Sequence, residues 1–264
     1  MGHTRLGEIP KSKKWDAVVE AVLASADVGQ LAWAVPSVAG QTADAAAEGI
    51  RRAASEPGLV YSFYLLAHLS LAGRRTPVEG VSILDFNPLG QDSIYDLLGQ
   101  AQLSIDSYVG RHGGTTDYSE MAQRAAGEAL LQSLEPFSAS LFGSGQNELR
   151  SGLRAISTVS GFSQLSQTFF GDFLARFLNF YLSRITARAN EYDGFRQVLG
   201  FNEDLRLYSY QSSAIVCDFA AAWVSKTAYA DGVTIDNTRA FMAVAAKKLA
   251  AELKFARSAQ HGRP

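Results

Sequence analysis

The apolar positions of the chain recur at helical spacing almost from end to end. Trp15, Val18, Val19, Val22 and Leu23 fall on one side of a helix over 15–24, after Pro10 and Ser12. Asp27 to Gln30 has the spacing of a capping box ahead of Pro36. Residues 41–55 are alanine-rich and read as one helix on propensity. Pro57 and Gly58 interrupt, and Leu59 to Leu71 restarts as an aromatic and aliphatic helix ending at Gly73. Asp92 is placed to cap a helix to about Val109. Asp117 with Glu120 reads as the capping box of another to about Leu134, ended by Pro136. A short helix is expected over 148–159. Beyond a break bracketed by Gly194 and Gly200, Asn202 is expected to cap a helix to Tyr229. Asp231 and Gly232 stop it, and Asp236 caps the last helix.

The most informative segment is about 162–190. Set on a wheel at about 100° per residue, Phe169, Phe170, Phe173, Phe177, Phe180 and Tyr181 join Leu174 and Leu178 over about half the circumference. Asp172, Arg176, Asn179 and Ser183 form a narrow polar stripe opposite. Such a helix needs neighbours on more than one side, and at about 1.5 Å per residue it is about 40 Å long. The fold class that follows is all-α: a single multi-helix globular bundle built on this aromatic-rich helix. At most one short strand is expected, near 81–86, where Val81 to Phe86 reads as an extended connection. The organisation is an N-terminal basic arm over 1–14, a helical domain over 15–256 and a basic tail over 257–264.

Composition supports this without redirecting it. The 264 residues are 47% hydrophobic and 19% charged, which suits a folded domain and excludes a disordered or collagen-like chain. Cys217 is the only cysteine, so no intrachain disulfide forms, and the expected location is the cytoplasm. No apolar run of signal-peptide or membrane-spanning length stands out.

Charge is unevenly spread around a net −2. Residues 1–15 hold four basic and one acidic residue, and 237–264 hold six and one, so two positive ends flank an acidic body. This pattern suits an anionic partner, or ends that neutralise the body of the same protein. Lys247, Lys254 and Arg257 are sparse and lack interleaved aromatic residues, which favours neutralisation and ranks nucleic acid last among partners.

Motifs for mononucleotide, dinucleotide, zinc and serine-hydrolase chemistry are missing, so no catalytic residue, metal or cofactor is assigned. His68 sits on an apolar helix and reads as a hydrogen-bonded core residue. Cys217 reads as packing, Asp218 as solvated, and Asp172 with Arg176 as a local ion pair at four-residue spacing. One loop has candidate chemistry. Arg111, His112, Gly113, Gly114 and Thr115 precede a helix start, where a guanidinium, glycine N–H groups and the helix dipole suit a phosphate or carboxylate. Three functions are therefore expected, in this order. The first is a non-enzymatic scaffold acting through a protein partner or a second copy, with the aromatic helix as its interaction element. The second is a helical enzyme or binding domain using the Arg111–Thr116 loop. The third is a membrane-active protein that inserts its aromatic helix between basic ends.

Overall fold

The computed structural model describes residues 10–27, 34–74, 84–138, 145–188, 194–230 and 232–261. Over these residues the chain forms α1 (Lys13–Asp27), α2 (Val35–Ala45), α3 (Ala47–Ser55), α4 (Pro57–Ala72), α5 (Ile94–Arg111), α6 (Asp117–Leu134), α7 (Gln146–Ile156), α8 (Val159–Arg188), α9 (Gly194–Ala230) and α10 (Ile235–His261). It is an all-α bundle with no strand among the described residues. Of the expected extended stretch, 84–86 forms bends and 81–83 lies outside the described residues, as does most of the Asp27–Gln30 box.

The helix enclosed on every side is α4. Pro57 starts it, and all thirteen residues from Gly58 to Ser70 are buried. A helix apolar all round belongs inside a protein. The buried polar side chains of α4 are tied to its neighbours: the Tyr61 hydroxyl lies 2.7 Å from Ser104 Oγ of α5, and Ser70 Oγ donates to the Ile156 carbonyl of α7 at 2.9 Å. His68 Nε2 lies 3.0 Å from the Val233 carbonyl, as expected of a hydrogen-bonded core histidine. Beside α4, the long helices α8 and α9 run antiparallel. Ser163 donates to Asp218, and Gln167 donates to the Tyr210 carbonyl.

Several boundaries differ from the sequence reading, each for a local reason. Residues 41–55 are divided between α2 and α3, because the backbone at Ala46 leaves helical geometry at φ −93°, ψ 15° while its side chain stays buried. Alanine propensity is silent about such a bend. No break occurs at Gly200 and Asn202 caps nothing: α9 continues through both, with Phe201 and Leu205 buried. Burial of that face outweighs the roughly 1 kcal/mol that a glycine costs inside a helix. Asp92 is not a cap either. Ser93 takes that place with its hydroxyl accepting from Asp96 N–H, and likewise Thr116 and Thr234, rather than Asp117 and Asp236, stand ahead of α6 and α10. The carboxylates fall in the first turn instead, where the helix dipole favours them.

The two basic ends of the chain meet on one carboxylate. Asp44 of α2 accepts from Lys14 of α1 at 3.0 Å and from Lys254 of α10 at 2.7 Å. For these two lysines the positive ends do neutralise the acidic body. Hydrogen bonds from Lys254 and then Lys14 hold the Asp44 carboxyl below its ordinary value of 3.8. A lowered carboxyl pKa adds stability that is present above the unfolded value and fades as pH falls through the folded one. Asp44→Asn should therefore lower stability at neutral pH by about 1 kcal/mol or less, since the three groups are partly solvated. The difference should shrink as pH falls below the ordinary carboxyl value of 3.8, and shrink in molar salt. Urea denaturation of both proteins across pH checks this. An equal gap at pH 2.5 and pH 7 would contradict it.

Candidate functional site

The loop from Arg111 to Thr116 joins α5 to α6, and its donors are turned to that task. Arg111 Nη2 pairs with Asp85 at 2.9 Å, both side chains being more than half exposed. The backbone N–H groups of His112 and Gly114 donate to the Val109 carbonyl, which closes the end of α5. Gly113 and Gly114 hold φ of 121° and 80°, so their role is a left-handed turn that side chains resist. His112 Nδ1 lies 2.8 Å from the Tyr108 carbonyl, and its ring stacks on Tyr108, which stacks on Tyr61. Thr115 is exposed. The start of α6 is filled by its own box: Thr116 Oγ1 accepts from Ser119 N–H at 3.1 Å, and Ser119 Oγ accepts from Thr116 N–H at 2.8 Å. The loop residues also lie at the carboxyl end of α5, where the dipole repels anions. Arg111, the His112 ring and the N–H groups of His112 and Gly114 are thus engaged within the chain.

The aromatic residues of α8 are likewise turned inward. Phe169, Phe170, Phe173, Phe177 and Tyr181 are buried, and Phe180 is partly so. Phe169 and Phe170 meet the Phe63 ring of α4, and Tyr181 packs 4.9 Å from Trp15 of α1. The Tyr181 hydroxyl lies 3.2 Å from that of Tyr118. Burial first, then this hydrogen bond, pushes Tyr181 far above the ordinary tyrosine range, so it stays neutral. The wide apolar arc is satisfied inside one chain and does not form an outward docking face.

On the polar stripe of α8 the sequence pairing holds: Arg176 Nε donates to Asp172 at 2.6 Å. That stripe faces the first half of α6 across a cleft of about 270 Å³. Asp117, Glu120 and Arg124 stand on the α6 side, with Arg176, Asn179 and Ser183 on the α8 side. Arg124 Nη2 donates to Glu120 at 2.6 Å, and Ser183 Oγ donates to Asn179 Oδ1 at 3.0 Å. Helical spacing shows each stripe, 117–120–124 and 176–179–183, but says nothing of which two stripes face each other. A second space, between α3, α8 and α10, is wholly apolar and only about 30 Å³, enough for a methyl group or two.

Among the described residues, α9 carries the most exposed large apolar side chains of any helix. Leu199, Leu207, Tyr210 and Ile215 are 50%, 55%, 40% and 44% exposed, with Ala214 and Ala222 exposed among them. Apolar spacing over 202–229 on its own would put Ile215 on the buried face with Leu205 and Val216. The structure turns Ile215 outward, because Val216, Ala220 and Val224 occupy the inner side. Cys217 is buried, its thiol directed to the Ala214 carbonyl, while Asp218 is exposed. Among the described residues no group of acidic, histidine and cysteine side chains is arranged to hold a metal ion, and no helix is long and apolar enough to cross a membrane. Comparison with protein-family models, curated proteins and solved structures finds no match to this chain.

Proposed function

We propose that this chain is a non-enzymatic helical scaffold subunit of the cytoplasm that pairs with a second copy of itself through the outer face of α9. The observation that carries the reading is the exposed set Leu207, Ala214, Ile215 and Ala222, which at about 100° per residue share one side of a helix whose inner side is packed. Single exposed apolar residues are ordinary on a protein surface; several on one side of one helix mark a contact.

Two of the charges on that face favour a second copy over an unrelated partner, while exposed Asp218 on the same face accepts from Ser163 of its own chain. Asp204 and Lys226 are both exposed, and Ile215 lies midway between them in sequence. At about 100° per residue the three fall within about 40° of one another. Two copies of α9 related by a two-fold axis at Ile215 run antiparallel. Each Asp204 then stands opposite the other copy's Lys226, with Leu207 near Ala222. A two-fold interface is self-complementary in this way. A single thiol and no disulfide suit a reducing compartment.

Sedimentation velocity over a concentration series tests the proposal. The native chain should sediment with the mass of two chains, and Leu207→Asp with Ile215→Asp should give one chain at unchanged helical circular dichroism. Asp204→Lys should weaken pairing about tenfold, and adding Lys226→Asp should restore it. A single-chain mass up to hundreds of micromolar would refute the proposal, as would a two-chain mass indifferent to these substitutions.

A further inference from the structure

The cleft between α6 and α8 carries an inference independent of self-association. Its walls bring both signs of charge to one small space. Glu120 and Arg124 stand one turn apart on α6, Asp117 opens that helix, and Arg176 faces them from α8. Met121 and Phe180 supply an apolar surface between the charges. Two ion pairs here are local to one helix: Glu120 with Arg124, and Arg176 with Asp172 beside the cleft. The first is solvated and weak; the second is partly buried, with the Asp172 side chain 13% exposed. Each engages one nitrogen of a guanidinium that carries three, so a carboxylate from outside finds donors without first breaking the pair.

Size narrows the occupant. At about 270 Å³ the cleft lies just below the range that takes drug-sized ligands, and a nucleotide exceeds it. Charge narrows it further. A dianion such as phosphate meets Asp117 and Glu120 as well as the two arginines, and a simple amine meets the arginines. A molecule with one carboxylate and one ammonium suits both walls. We propose that this cleft binds a free α-amino acid with a large apolar side chain. Its carboxylate rests on Arg124 and Arg176, its ammonium toward the second carboxylate oxygen of Glu120, and its side chain against Met121 and Phe180.

Isothermal titration calorimetry of the full chain with L-phenylalanine and L-leucine tests this, beside two analogues that each lack one charge. Phenylalanine amide has no carboxylate and also stands for the first residue of a peptide; 3-phenylpropionate has no ammonium. Saturable binding of either amino acid, weakened at least tenfold in both analogues, is the expected result. Arg176→Gln should weaken binding to a similar degree. Met121→Trp, which fills the cleft and keeps its charges, should abolish binding with the fold intact by circular dichroism. No binding of either amino acid would overturn the proposal. So would equal binding of the analogues, or binding that survives Met121→Trp.

Discussion

Phe63→Ala should cost about 4 kcal/mol of stability, the largest effect expected of any single truncation in this chain. The ring is fully buried in α4 and touches rings from three other helices. It stacks on Phe241 of α10 at 4.9 Å, and it meets Phe170, Phe169 and Phe162 of α8 at 5.2, 5.7 and 5.9 Å and Trp223 of α9 at 5.9 Å. Removing it takes away the burial of a large apolar side chain and leaves a cavity whose walls belong to four helices. Those walls are rigidly placed, so the cavity collapses poorly. Domains of this kind are stable by about 5–15 kcal/mol, so the loss is a large share of the total. Guanidinium denaturation should show a lower midpoint with an unchanged slope. A loss below about 1 kcal/mol would mean that the ring is not at the meeting point of these helices.

The second large effect reverses an ordinary rule. Glycine to alanine inside a helix usually stabilises by up to about 1 kcal/mol. At Gly58 it should destabilise by about 2–3 kcal/mol. A Cβ there would lie 2.3 Å from Ser119 Cβ and 2.8 Å from Ser119 Cα, distances at which α4 and α6 must separate. Ser119 has no room to yield, because its side chain and its backbone N–H both bond to Thr116 at the start of α6. Gly99→Ala on α5 is the matched control. Nothing lies within 4 Å of a Cβ there, so it should be neutral or stabilising. Thermal unfolding of the two variants should move in opposite directions. If Gly58→Ala melts with or above the native chain, the close crossing of α4 and α6 is wrong.

How much of this was legible in the chain depended on whether the information was local. The helices themselves were, because apolar spacing, Pro57 and the left-handed Gly232 act within a few residues. The Asp172–Arg176 pair and the role of His68 followed from the same short-range logic. The expected caps are displaced by one or two residues: Asp92 stands one before Ser93, Asp117 one after Thr116 and Asp236 two after Thr234. Acidic residues in a first turn are as prominent in sequence as the hydroxyls that actually cap, and only backbone geometry separates Thr116 from Asp117. The Arg111–Thr116 loop attracted attention because glycines and a cation stood together. Whether their donors were already engaged depended on Asp85 and Val109, which the local string does not show. The cleft was missed for the converse reason: its two stripes are each unremarkable, and their meeting is a fact of packing. The meeting of Lys14 and Lys254 on Asp44 joins the two ends of the fold and had only a coarse trace, the positive charge at both termini. The Phe-rich stretch showed that it needed cover on two sides, but not that this chain supplies it.

That last point is the centre of the account: the aromatic rings of α8 are buried within one chain, and the proposed pairing surface is the outer face of α9 instead. Amide hydrogen exchange read by mass spectrometry at nanomolar and at high micromolar concentration tests it most directly. Peptides covering Phe169 to Tyr181 should be among the slowest to exchange, and equally slow at both concentrations, while those covering Leu207 to Ile215 should gain protection only at the higher one. Protection of 169–181 that disappears on dilution would show that a second chain covers those rings, and would contradict the account.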